Sequence, residues 1–492
     1  MPLIPIKLPP GMYRNGTEYE QSNRWRDGSL VRWSEGSIKP VGGWSQYTTT
    51  SVGAAPRGMF GWRDNSGNRR LAVGTYQKLY SINADGTLVE ITPATFTTGR
   101  EDAELNAGYG GGTWSAETYG TPRNPSSVYQ PATTWSLDNF GELLVACSTD
   151  DGQLLEWDLD ANNDAVAITN APTSCQGLIV TEERFIFALA AGGNPRKVSW
   201  CDRENRTDWT ALATNEAGDI ELQTNGEIIC ASRVRGRTLI LTSSDAHTAT
   251  YQGPPYVYGF ERVGSACGTS SPNSLVSADA FAFWWGNKGF FVYDGSTAQE
   301  MQCDVSDYVF RDYNVNQASK VYGYHNSRFS EIWWFYPSAG SVENDRYVVY
   351  DYKDRVWFTG DLARTAAVDV GPKRYPIYTT SDGYLYLHEY GYTHGSDSVY
   401  LETGPISLGN GDNVMRVTSV IPDEDNQGDV NMTFKTKLYP NGSETTTAAF
   451  STANPTDVRF TGRQIKMRFE GQNNNDFRIG TFRIDARPGG KR

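Results

Sequence analysis

The chain has 492 residues, 38% of them hydrophobic and 13% aromatic, and a formal net charge of −13. That length holds two or three domains, and the aromatic content excludes a disordered chain. The acidic balance argues against general nucleic-acid binding, which needs clustered Lys and Arg to neutralise phosphate.

Residues 1–49 carry three prolines in the first nine positions, then Asn23-Arg-Trp-Arg-Asp-Gly28, Leu30-Val-Arg-Trp33 and Pro40-Val-Gly-Gly-Trp44. An N-terminal extended arm with short strands is expected. Interleaved Arg and Trp would suit stacked single-stranded bases, but a hairpin with outward Arg over packed Trp is the simpler reading. No basic start followed by an apolar stretch supports a signal peptide.

From residue 50 to 393 an alternating apolar run followed by a turn recurs seven times. The runs are Lys78-Leu-Tyr-Ser-Ile82, Leu154-Leu-Glu-Trp-Asp158, Lys197-Val-Ser-Trp-Cys201, Thr248-Ala-Thr-Tyr-Gln252, Phe290-Phe-Val-Tyr-Asp294, Tyr347-Val-Val-Tyr-Asp351 and Tyr384-Leu-Tyr-Leu-His388. From Tyr80 to Leu387 the spacings are 77, 43, 51, 42, 57 and 37 residues, most of them near the ~40–50 of one propeller blade. Partner strands precede five of them: Leu143–Ala146, Arg184–Ala188, Arg237–Leu241, Phe281–Trp285 and Glu331–Phe335. Turns at Gly86, Gly152, Gly295 and Gly383 suit tight hairpins, because Gly tolerates positive φ. The fold class expected is all-β, a β-propeller of about six or seven blades, with another all-β array as the alternative.

The oversized first spacing comes from an insertion, residues 99–132. Tyr109-Gly-Gly-Gly-Thr113 and Tyr119-Gly-Thr-Pro122 have no strand periodicity, so a projecting loop is expected. Tyr109, Gly110, Gly111, Gly112 and Tyr119 are its candidate gate or tip residues.

Residues 394–492 read as a separate β module, a small sandwich or open sheet. Met415, Val417, Ser419 and Ile421 would share one face, as would Met432, Phe434, Thr436 and Leu438, and Ile465, Met467 and Phe469. A fourth strand changes phase near Gly480, which suggests a bulge. Residues 457–492 hold nine basic and four acidic groups, a local +5 that leaves −18 on the rest. Arg459, Arg463, Lys466 and Arg468 are therefore read as a basic face for docking an acidic neighbour.

Catalytic signals are poor. Six scattered Cys include no Cys-x-x-Cys, and buried free thiols are expected. His388 and His394 form the one close His pair of four, without a third ligand. No nucleophile elbow, P-loop or dinucleotide motif occurs. Ser148-Thr-Asp-Asp-Gly152 begins like a sialidase Asp-box, but Leu155 stands where that box has Trp, and no acid pair can be assigned for glycoside hydrolysis. No enzyme activity, cofactor or metal is expected.

The opening Leu8-Pro-Pro-Gly11 through Pro40-Val-Gly-Gly-Trp44 resembles the tail nozzle proteins of short-tailed bacteriophages, also called packaged-DNA stabilisation or tail tubular proteins. Phe460-Thr-Gly-Arg-Gln-Ile-Lys-Met-Arg468, Asp476-Phe-Arg-Ile-Gly480 and Arg483-Ile-Asp-Ala-Arg-Pro-Gly-Gly490 add to the likeness. The resemblance implies a virion protein, assembled in the bacterial cytoplasm, whose homo-hexameric ring sits beneath the adaptor ring and conducts double-stranded DNA without binding it specifically. It also implies neighbours among fibre, spike or needle proteins, and contact with the host envelope. A receptor-binding or carbohydrate-degrading tail propeller and a cellular propeller scaffold are the alternatives.

Overall fold

The computed structural model describes residues 3–105, 129–278, 280–408, 413–425, 428–439, 442–472 and 474–490. Seven four-stranded antiparallel sheets follow one another along the chain: blade 1 (56–90), blade 2 (135–167), blade 3 (177–221), blade 4 (228–265), blade 5 (276–300), blade 6 (322–361) and blade 7 (366–388 with Trp44–Gln46). The first strand of each packs on the first strands of both neighbours, from blade 1 round to blade 7 and back. This is a closed seven-bladed β-propeller, in which each sheet covers the next because none can bury both faces alone.

All seven marker runs are third strands, and the five upstream partners are second strands. Gly86, Gly152, Gly295 and Gly383 adopt φ of 93°, 65°, 97° and 79°. Indole N–H groups tie neighbouring blades through backbone carbonyls: Trp62 donates to Glu142 at 2.9 Å, Trp135 to Thr75 at 2.7 Å and Trp334 to Ser274 at 2.9 Å. Each ring thus buries a large apolar surface while its one polar atom is satisfied.

The N-terminal segment, expected as an arm, is distributed over two bodies. Trp44–Gln46 is the outer strand of blade 7, pairing with Tyr386–His388. Ahead of it, the Met12 N–H donates to the Trp357 carbonyl at 2.7 Å and extends the outer edge of blade 6. Ile4–Ile6 pairs with Phe482–Ile484, Trp25–Ser29 with Tyr400–Thr403, and the hairpin Val31–Ser34/Ser37–Pro40 with Arg478–Ile479. Both chain ends therefore build one terminal β module, packed on blade 6 through Trp25–Ser29 and Val356–Asp361.

Within that module Met415, Val417, Met432, Phe434, Thr436, Ile465, Met467 and Phe469 are buried as expected. Ser419 and Ile421 are not: the register slips between Val417 and Ser419, and Val420 enters the core instead. Leu438 lies beyond its strand, which ends at Lys437, and is 47% exposed. The six Cys are free, five of them buried.

Candidate functional site

The inner strands of the blades surround an axial cavity of about 360 Å³. Polar side chains stitch these strands together where backbone pairing cannot reach from blade to blade. Ser136 Oγ donates to the Leu178 carbonyl at 2.5 Å and accepts from its N–H at 3.1 Å. Asp138 accepts from Val180 N–H at 2.9 Å and from Arg233 at 3.1 Å, while Arg233 also reaches the Val180 carbonyl. Burial raises the Asp138 carboxyl above the usual carboxylate range, against the pull of Arg233 and the N–H groups. A space of that volume is of small-molecule size.

A second cavity of about 530 Å³ shares Thr134, Gln176, Ile229 and Pro272 with the first and is lined partly by Tyr129–Ala132. The start of the insertion is clamped beside it. Ala103 N–H donates to Gln317 at 2.9 Å, and the fully buried Lys320 ammonium bonds Asp102, Glu343 and the Val342 carbonyl. Arg57 completes the cluster through Glu343 and the Glu101 carbonyl. The candidate tip residues Tyr109, Gly110, Gly111, Gly112 and Tyr119 lie outside the described residues.

Blades 6 and 7 meet the terminal module over a buried ionic cluster. Arg32, 1% exposed, faces Glu331 at 2.9 Å and Glu389 at 2.5 Å, and stacks on Phe329 at 3.7 Å. Asn326 donates to both carboxylates, Trp333 Nε1 to Glu331 and Gly42 N–H to Glu389. One guanidinium cannot fully offset two buried carboxylates, so they diverge. Burial, with Glu389 adding repulsion, pushes Glu331 up to about 7 despite Arg32. Burial would raise Glu389 too, but Arg32 and its hydrogen bonds from Gly42 and Asn326 hold it below the usual range. Sequence reasoning missed this cluster because its members lie some 300 residues apart; Arg32 sat in a motif read as a surface hairpin.

The four residues expected as a docking face do not form one exposed basic surface. Arg459 is exposed on Thr456–Gly462 of one sheet, whereas Lys466 and Arg468 sit on Gln464–Gly471 of another. Lys466 is buried between Glu18 at 2.5 Å and Glu444 at 2.6 Å. Arg468 stacks on Tyr400 at 3.6 Å beside Glu470, and Arg463 lies 5.4 Å from the Tyr439 ring. The carboxylates that neutralise this strand come partly from residue 18, distant in sequence. His388 and His394 both pack on Trp44, at 5.2 and 5.3 Å. Their Nε2 atoms meet Arg364 and the Val41 carbonyl. Among the described residues no group of three His, Cys, Asp or Glu is placed to hold a metal.

Similar solved structures are β-propellers. A virginiamycin B lyase from Staphylococcus aureus is 7% identical with a TM-score of 0.42, over 70% of this chain and 97% of that one. The WD40 propeller domain of Doa1 is 10% identical with a TM-score of 0.41, over 70% and 97%. The WD40 domain of Neurospora crassa Pan2 is 9% identical with a TM-score of 0.40, over 74% and 99%. At these identities the likeness says nothing of substrate or partner. No family model and no curated protein matches the sequence.

Proposed function

We propose that the chain is a structural tail nozzle subunit of a short-tailed bacteriophage, whose copies form a ring that retains packaged DNA and conducts its ejection. One observation carries this reading. The motifs that resemble the nozzle proteins lie at opposite ends of the sequence, and much of both folds into one module: Trp25–Ser29 and the hairpin after it pair with strands from residue 400 onward, while Trp44 goes to blade 7. Shared motifs that assemble into one body are what a common architecture would leave. The net charge of −13 adds support, since an acidic bore repels a polyanion and limits sticking. The role is mechanical, with no catalytic step.

The test is the assembly state of the purified full chain by light scattering, alone and with a candidate adaptor ring, followed by electron microscopy. A ring with an open bore is the expected result. A strict monomer under both conditions overturns the reading and leaves a cellular propeller scaffold or a carbohydrate-binding tail protein.

A further inference from the structure

Three strands of the terminal module place cations in a row. The register pairs Arg32 with Lys39, and Ile38 with Ile479, which sets Arg478 opposite Lys39. Like charges directly opposite on adjacent strands are destabilising. Arg32 is neutralised from beneath by Glu331 and Glu389. Lys39 and Arg478 have no carboxylate at ion-pair distance among the described residues, although Asp425 stands opposite Arg478 in register. A third unpaired cation arrives from the propeller. Arg328, exposed on the blade 6 turn, lies 5.3 Å from the Phe329 ring, and Lys39 lies 5.2 Å from the same ring.

Two carboxylates, Glu389 and Asp476, attract Lys39 from beyond ion-pair distance. Glu389 is held by Arg32, Gly42 and Asn326. The Lys39 ammonium lies below its usual range, first through burial and then through repulsion from Arg32 and Arg478, against the pull of Asp476 and Glu389.

We propose that Lys39, Arg328 and Arg478 form an oxyanion site that takes a phosphate group. Two guanidinium forks and one ammonium, brought from three separate stretches of chain, match the several acceptor oxygens of phosphate. The phosphate comes either as the free ion or as the diester of a nucleic-acid backbone. The site stands whether or not copies of the chain form a ring.

The full chain is titrated at low salt with inorganic phosphate by calorimetry and with a fluorescent DNA duplex by anisotropy. Phosphate should bind the native chain, and the double variant Arg328→Gln/Arg478→Gln should lose about tenfold or more in affinity with an unchanged melting temperature in phosphate-free buffer. Arg63→Gln/Arg374→Gln, exposed arginines elsewhere, should bind as the native chain does. Duplex binding that phosphate competes away, with a salt slope reduced by about 1–2 in the double variant, identifies the diester as the source. Phosphate binding without duplex binding identifies the free ion. No phosphate binding by the native chain, or equal binding by the double variant, overturns the proposal. Should the double variant fail to fold, Arg328→Gln alone, on an exposed turn, gives the same reading.

Discussion

Blades 2–5 and blades 6–7 solve the same problem differently. Blades 2–5 are each completed by consecutive chain, and their outer strands include segments as short as Val166–Ala167 and Ala298–Glu300, which limits the exposed edge. The outer strand of blade 6 is covered by residues 12–14 and Trp25–Ser29, and that of blade 7 is borrowed from Trp44–Gln46. The charges follow this difference. Arg206 meets Glu156 beside blade 2 with its side chain 34% exposed, whereas Arg32 meets its two carboxylates at 1%. At the braided junction an arginine is sealed in with two carboxylates, whereas beside blade 2 the Arg206–Glu156 pair stays partly at the surface.

Arg32→Met puts the largest strain on that contrast. It should lower unfolding free energy by about 3–5 kcal/mol, because two buried carboxylates lose their counter-charge. Arg206→Met should change it by about 1 kcal/mol or less. Chemical denaturation of both variants checks the pair, and equal losses would erase the distinction.

The same cluster gives a pH dependence. Glu331 is raised in the folded state, so the unfolded chain ionises first, and stability should fall as pH rises from the ordinary carboxylate range to about 7. The fall attributable to this group is up to about 3 kcal/mol, and Glu331→Gln should flatten it in thermal melts across that window. Glu389 acts in the opposite sense: its contribution is present above the ordinary range and is lost as pH drops through its lowered value.

Trp44→Ala removes the ring against which His388 and His394 pack, and should cost about 2–3 kcal/mol with early loss of protection in blade 7 by hydrogen exchange. Lys466→Met should cost about 1–2 kcal/mol by leaving Glu18 and Glu444 with one cation fewer. Arg459→Ala, exposed on its strand, should stay within about 0.5 kcal/mol. A larger loss at Arg459 than at Lys466 in denaturant titrations would reverse the picture of that module.

The blades were legible because third strands carry their own signature: a period-two apolar run that ends before a turn is local information, and so are the turn glycines. What escaped is what depends on distant partners. Lys466 looked like an outward cation on an alternating strand, and only Glu18, carried in by the N-terminal segment, draws it inside. Val420 takes the place expected of Ser419 because a bulge shifts the phase by one residue, which an alternating pattern cannot announce. Trp44 carried no sign that it would finish a sheet begun at Ala366.

That borrowed strand also sets an order of events on the ribosome. Gln46 and its partner Tyr386 are 340 positions apart, so at ~5–20 residues per second the first-made strand waits roughly half a minute for its mate. Until then the nascent chain has an incomplete ring and an unpaired edge, open to pairing with a neighbour on the same messenger. Closure of blade 7 is therefore a late, long-range step.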